Sequence, residues 1–395
     1  MISEKVKLFI EKGYCVAIYP NKFEKESVNN SRESILQGLS AMLLSSKYKV
    51  LQICIDSNDM VTDKYQIFYD EARVEIGIIN KLSEFIQAVS NERSDLNNGD
   101  HIYYRGHSST NYKLEPSIYR EKNKKMLEAE DKMYRDILSS KPHFFNDCNT
   151  TLEKLVKMQH HGIPTRLLDL TENPLIALYF ACIGNDSNNG EVLFFNIMED
   201  KFKYFDSDTV SVVTNISKCK FNFDISSFDL NWTHSAIIKS LKPQKGIFMN
   251  YLSQSLRKES YTRYTKDWRE EKVKEFNSNK IISELVHFIR EDTPYFLNKV
   301  NPLHLMNYTV VVKPKMAIDR IINQSGAFIL FGINMKKEVC SDCNINREGH
   351  KQKVIIIPKE CKPYILKELR MFNINKSTVF GDLDSTAEFF VDKYK

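Results

Sequence analysis

QHHGIPTRLLDLTENPLIALYFACIG, residues 159–184, sets two histidines, an arginine, an aspartate and two threonines directly ahead of an apolar helix. The segment before it, Thr151 to His161, carries Leu152, Leu155 and Val156 on one helical face, and Gly162 suits the position just past a helix end. After it, Asn173 is placed to cap a helix that opens at Pro174, where a missing N–H costs nothing. Leu175, Leu178, Tyr179 and Cys182 then recur at helical spacing, and Gly184 closes the helix. Between the two helices IPTRLLDLT is pinned at both ends and is too polar to be core alone. A turn, NDSNNG, leads on to EVLFFNI, which reads as a strand.

Outward from this block the pattern stays mixed. HIYYRGHSS is an aromatic strand running into a glycine turn, and Glu121 to Leu138 is a helical zone. YTVVVKP, GAFILFGI and KVIIIP read as strands and PYILKELRMFNI as a helix, while Ser385 and Glu388 match a capping box opening a last short helix. At the start, helices over residues 3–12 and Ser27 to Ser45 alternate with the strands CVAIYP and KVLQICID. The polar stretch Ser90 to Asp100 marks a boundary before HIYYRGHSS. The expected architecture is therefore α+β, a mixed or antiparallel sheet with helical insertions over residues 81–395, preceded by a small α/β element, 1–80, of unknown role.

Composition bounds the function loosely. At 395 residues, 42% hydrophobic and 27% charged, the chain has material for a sizeable core. A net charge of +5 permits an acidic partner without requiring one. No apolar run approaches a membrane span, and the N-terminal stretch is too charged for a signal peptide, so a cytoplasmic protein with reduced thiols is expected. Cys340 and Cys343 form one C-x-x-C, but His350 and Cys361 follow at irregular spacing, and no metal is expected. Arg257 to Lys274 interleaves Tyr261, Tyr264 and Trp268 with Arg257, Arg263, Lys266 and Arg269. That mixture suits a nucleic-acid groove or, equally simply, an exposed amphipathic helix.

Several polar residues invite a site, and each has a structural alternative. Arg105 beside Gly106 can present its planar fork to a diphosphate while the backbone approaches closely, or it can pair with an internal carboxylate. Arg166 and Asp169 can pair across a tight loop, and Thr165 and Thr171 can cap backbone groups. His160 and His161 point about 100° apart on one helix and cannot share a metal from it. Their concentration in one stretch is what suggests a site.

YYRGHSSTNYKLEPSIYR (103–120), QHHGIPTRLLDLTENPLIALYFA, INQSGAFILFG (322–332) and VFGDLDSTAEFF resemble, in order, the successive blocks of the FRG domain. The family's Phe-Arg-Gly element is written here Tyr104-Arg105-Gly106. The layout is distantly similar to ADP-ribosyltransferases: an arginine-bearing strand, then a Ser/Thr strand (Leu168 to Thr171) running into Ala177 to Ala181, then a late strand near Gln324. The resemblance implies NAD as cofactor, Arg105, Asp169 and Gln324 as catalytic residues, and Arg105, Gly106, Thr165, Arg166, Thr171 and Tyr179 as the NAD-binding set. One departure stands out: those transferases place a glutamate on the late strand, whereas here Gln324 has no adjacent carboxylate. Cleaving the nicotinamide–ribose bond passes through an oxocarbenium-like ribose. Asp169, or Glu172 nearby, would stabilise it.

The expected function is transfer of ADP-ribose from NAD to a macromolecule, with RNA or DNA favoured over protein as acceptor. The family's habits imply a bacterial toxin or anti-phage effector held silent by a neutralising partner. Two alternatives stay open: a non-enzymatic nucleotide- or nucleic-acid-binding module, and a metal-dependent nuclease using His160, His161 and Asp169.

Overall fold

The computed structural model describes residues 14–20, 49–55, 61–69, 72–94, 101–197, 199–228, 273–297, 299–305, 308–315, 319–341, 343 and 352–395. The helices expected at 3–12 and 27–45, the aromatic–basic stretch up to residue 272, and His350 lie outside the described residues.

The strands are β1 (Tyr14–Pro20), β2 (Lys49–Ile55), β3 (Val61–Tyr69), β4 (Ala72–Ile78), β5 (His101–His107), β6 (Leu167–Thr171), β7 (Gly190–Ile197), β8 (Phe202–Tyr204), β9 (Thr309–Lys313), β10 (Gly326–Phe331), β11 (Ile333–Asn334), β12 (Lys336–Cys340) and β13 (Gln352–Ile357). Eleven of them form one sheet in the order β1-β2-β3-β4-β13-β7-β5-β6-β10-β9-β8, and β11 and β12 pair separately. β1 with β2, β4 with β13 and β8 with β9 are parallel, and the remaining neighbours are antiparallel, so the sheet is mixed. The N-terminal strands continue this sheet through the β4–β13 pairing.

The helices used below are α1 (Leu82–Ser94), α2 (Lys124–Glu128), α3 (Glu130–Ser140), α4 (Thr151–His160), α5 (Pro174–Cys182), α6 (Asp208–Asn215), α7 (Lys280–Asp292), α8 (Asp319–Asn323), α9 (Lys362–Met371), α10 (Lys376–Phe380) and α11 (Leu383–Tyr394). The helical zone expected from Glu121 to Leu138 holds a short 3-10 turn, Glu121–Asn123, followed by α2 and α3, which meet at Ala129. The capping box expected at Ser385 is displaced: Asp382 is the cap, accepting from the Ser385 backbone N–H, which makes Ser385 the third residue of the helix. The α5 punctuation is as read, with Asn173 Oδ1 accepting from Leu175 N and Pro174 first in the helix.

Three apolar clusters follow from strand alternation. On one face of the sheet Tyr103, Leu168, Leu170, Leu193, Phe195, Ile329 and Phe331 pack together. The other face is divided. Tyr104, Val192, Phe194 and Ile355 pack under α1, α5 and α9, whereas Leu167, Val310, Val312, Phe328 and Leu330 pack under α4, α6 and α7. The division falls between β5 and β6. β5 pairs with β7 along its whole length, His101 to His107, but joins β6 only at Tyr104 with Thr171. Beyond that pair the strands part, and the eleven-stranded sheet is split into two halves.

α5 lies hard against the first half. A Cβ on Gly106 would overlap Ala177 O and stand 2.7 Å from Ala181 N, and one on Gly190 would overlap Ala181 O. Ala177 and Ala181, four apart on α5, are fully buried there. Glycine on the strands and alanine on the helix let the two backbones touch.

Candidate active site

The exposure pattern of β6 locates the site. Leu167, Leu168, Leu170 and Thr171 are buried and Asp169 alone is exposed, because β5 no longer pairs beside it. Arg105 fills this gap: its Nη1 donates to Asp169 O at 2.5 Å and stands 3.9 Å from Asp169 Oδ2. The Arg105 side chain is 14% exposed and that of Asp169 54% exposed, so the pair faces an opening and is not a sealed link.

A hydrogen-bonded chain crosses the split on both sides of this contact. Gln159, near the end of α4, donates Nε2 to Asp169 Oδ1 at 2.9 Å, and its Oε1 accepts the Thr165 hydroxyl. On the other side Arg105 Nε donates to His107 Nε2 at 2.9 Å, and His107 Nδ1 lies 3.1 Å from Glu191 Oε1. Burial lowers the His107 pKa, with Glu191 opposing and Arg105 and Arg120 adding to the fall. A neutral ring that accepts at Nε2 must carry its proton on Nδ1, so His107 donates to Glu191. Burial also lowers Arg105, to about 10, against the pull of Asp169 and with the push of Arg120. It is still a cation at neutral pH.

The opening consists of two adjoining hollows of about 100 and 120 Å³. Arg105, Gly106, Thr171 and Phe180 line the first, Gln159, His160 and Phe328 the second, and Asp169, Arg320 and Gln324 border both. Arg320, from α8, lies over the Phe380 ring at 5.1 Å, and Phe380 meets Phe180 edge-on at 5.9 Å. Gln324 donates Nε2 to Val379 O, so α10 backs this wall. His160 Nδ1 is buried and has no hydrogen-bond partner among the described residues. Burial, Arg320 and His161 all lower its pKa, leaving a neutral imidazole beside Asp169 and Arg320.

The structure thus joins Arg105, Asp169, Thr171 and Gln324, all expected at the site, in one cleft. Thr171 has its hydroxyl committed to Gln324 O and to Asn173 N, so it shapes the hollow without a free polar atom. Gly106 lines the cleft, and its missing side chain is demanded by α5, which lines the same hollow through Phe180. Three of the expected NAD-binding residues do not reach the opening. Arg166 is completely buried, held by Glu130 through Nε at 2.8 Å and Nη2 at 2.7 Å and by the Tyr119 hydroxyl at 2.6 Å. Its partner is therefore Glu130 and not Asp169. Lys337 completes this buried cluster, 3.1 Å from Glu130 Oε2. Thr165 is buried, its hydroxyl donating to Gln159 and accepting from Leu167 N, so it meets the site through Gln159. Tyr179 is buried among the α5–α9 core, and the next residue, Phe180, is the one that faces the cleft.

Arg320, Phe180, Gln159, His107 and Glu191 were not singled out as site residues from the sequence. For Phe180 the phase comes from the structure: with Ala177 and Ala181 against the strands, position 180 falls at the flank of that helix face. Glu191 joins the site only through the β5–β7 register, which pairs it with His107.

Among the described residues no three His, Cys, Asp or Glu side chains stand where they could hold a metal ion, and His160, His161 and Asp169 form no such group. No helix among them is long and apolar enough to cross a membrane.

Fold and site define a mixed α/β protein with a cationic cleft opened by a split in its main sheet. The chain carries an FRG domain: that family's model matches residues 100–190, from the approach to β5 through the first residue of β7. No curated protein and no solved structure matches the chain.

Proposed function

We propose that the cleft binds NAD and transfers its ADP-ribosyl group to a macromolecular acceptor. The observation that carries this reading is the Arg105–Asp169 meeting at the split: a fixed guanidinium and an exposed carboxylate share one opening. A guanidinium suits the diphosphate, to which it makes charge-assisted hydrogen bonds, and a carboxylate suits the cationic ribose that develops as nicotinamide departs. Hollows of about 100 and 120 Å³ take the reacting end of such a ligand, and its remainder extends over the open rim.

In this reading Arg105 and Arg320 hold phosphate oxygens, and Phe180 packs against the nicotinamide ring. Asp169, oriented by Gln159, stands near the ribose C1′. An acceptor N–H or O–H attacks C1′ and the C1′–nicotinamide bond breaks. Nicotinamide leaves as the neutral amide, and the acceptor's proton passes to neutral His160 or to solvent. NAD and acceptor thereby become ADP-ribosyl-acceptor, nicotinamide and a proton. In the pattern the resemblance implies, Gln324 stands where those transferases have glutamate, so in this reading the negative charge in the cleft comes from Asp169.

The mixed aromatic and basic residues of Arg257 to Lys274 favour a nucleic acid as acceptor. A toxin or defence effector, restrained by a neutralising partner in the cytoplasm, is the biological setting that fits such a reaction. The test is to incubate the protein with NAD labelled in the adenylate, together with RNA, DNA and a cell extract. Label on a macromolecule with stoichiometric nicotinamide release is the expected result. Tight NAD binding with neither product would leave a binding module and overturn the transferase reading.

A further inference from the structure

We propose that His107 and Glu191 are positioning residues that lock the Arg105 guanidinium into the cleft, and that the lock releases when His107 gains a proton. This rests on the ligand-binding reading of the cleft above.

The geometry is specific. Arg105 and His107 are two apart on β5 and share one face of the strand, and the β5–β7 register sets Glu191 directly across from His107. His107 is 4% exposed and Glu191 9%. The His107 ring accepts from Arg105 Nε at 2.9 Å and reaches Glu191 Oε1 at 3.1 Å. Arg105 is left with its terminal nitrogens directed at the split, one of them already on Asp169 O.

A long cationic side chain at a gap in a sheet has many rotamers. Two fixed acceptors, His107 Nε2 and Asp169 O, reduce them to one before any ligand arrives. Neither acceptor is a ligand contact. Both act through Arg105.

The lock depends on charge. Protonated at both nitrogens, His107 has no acceptor for Arg105 Nε and sets a second cation against the guanidinium. The groups facing the ring are Arg105 on its own strand, Glu191 from β7, Arg120 from the segment after β5, and Tyr112, whose ring meets it edge-on at 6.0 Å. Burial lowers its pKa from the ordinary histidine value, with Arg105 and Arg120 adding to the fall and Glu191 opposing it, so the lock holds at neutral pH and opens only on acidification through that lowered value.

The experiment has two arms. In the first, ¹⁵N NMR follows the His107 ring and the Arg105 Nε–H signal of the free protein from pH 8 to pH 5. The expected result is a neutral ring with its proton on Nδ1 at pH 7 and an Arg105 signal that moves with the His107 midpoint. A ring protonated on Nε2 at pH 7, or an Arg105 signal indifferent to His107, overturns the proposal whatever the ligand proves to be.

In the second arm, calorimetry measures binding of NAD and of inorganic pyrophosphate to wild type, H107A and H107Q. Loss of a hydrogen bond to a charged group weakens binding by about ten- to a hundredfold in H107A. H107Q keeps an acceptor at the same reach and has no titrating ring. It should bind near wild type at pH 7 and lack the loss of affinity that wild type shows as His107 gains its proton. An H107Q profile that falls with acid as wild type does overturns the proposal. Failure of wild type to bind either probe sinks the functional reading instead, and the first arm still decides the lock.

Discussion

Arg105 and Asp169 belong to neighbouring strands that have ceased to pair, and the guanidinium of the first donates to the backbone carbonyl of the second across the gap. Asp169 alone among the residues of β6 is exposed. The split leaves its carboxylate in solvent and puts a side-chain donor where a backbone donor would have been. The site is thus built from a defect in the sheet, and its chemistry can be tested one residue at a time.

Replacing Arg105 with alanine should reduce NAD turnover at least about a hundredfold, since the variant loses a charged anchor that positions the reacting group. The thermal midpoint should move little, because Arg105 faces the opening and not the core. Nicotinamide release and a thermal scan check the two halves of this statement. Retained turnover would remove Arg105 from its assigned role.

Asp169→Asn preserves size and the acceptor that Gln159 uses, but removes the negative charge. The turnover number should fall about a hundredfold, the scale of one lost electrostatic stabiliser of a transition state, with NAD affinity nearly unchanged. A rise in KM at constant turnover number would show that Asp169 serves binding and not the chemical step.

Gly106→Ala should destabilise the fold by about 3 kcal/mol, at the upper end of overpacking costs, because the added methyl meets α5 backbone and not a movable side chain. Urea denaturation measures it. A change below about 1 kcal/mol would mean that α5 can shift away from β5.

Glu130→Gln should cost about 3–5 kcal/mol of stability, since it leaves Arg166 and Lys337 buried without a counter-charge. Burial by itself would raise the Glu130 pKa. Arg166 and Lys337 outweigh it and hold the carboxyl below its ordinary range. The wild-type stabilisation from this carboxylate is therefore present above pH 4.5 and fades as pH falls through its lower folded value. Chemical denaturation of both proteins at pH 7 checks the cost, and a near-equal midpoint would refute it.

His304 gives a second pH dependence. Burial, then Lys201 and Lys203, bring its pKa from 6.5 down to about 4, and its Nδ1 has no hydrogen-bond partner among the described residues. The unfolded chain therefore takes up this proton first, and stability present above pH 6.5 declines as pH falls toward 4, by up to about 3 kcal/mol. His304→Asn should flatten the decline between pH 6.5 and 4.5. An equally steep decline in the variant would place the acid sensitivity elsewhere.

Local features were legible in the residues. Asn173-Pro174 announced a helix start, and HIYYRGH, EVLFFNI and GAFILF announced strands, because capping and residue type act over a few positions. Pairings across the chain were not. Arg166 meets Glu130 over 36 residues, and His107 meets Glu191 over 84, and each depends on packing or strand register that no short window contains. The confusion of Tyr179 with Phe180 has another cause. Every position from Leu175 to Cys182 is apolar, so periodicity gives no phase, and the close α5–β5 approach sets it instead. At the C-terminus Asp382 and Ser385 are both good caps, and Asp382 begins the helix three residues earlier.

The lone Tyr104–Thr171 rung has a mechanical corollary. Two slabs joined by one backbone rung and by the apolar cluster of Tyr103, Leu168, Leu193 and Ile329 beside it move like the jaws of a clothes-peg, with compliance concentrated along that seam. A molecule gripped by Arg105 on one jaw and Asp169 on the other would act as a clasp. It would suppress jaw motion far from where it sits, without making a single new bond inside either slab.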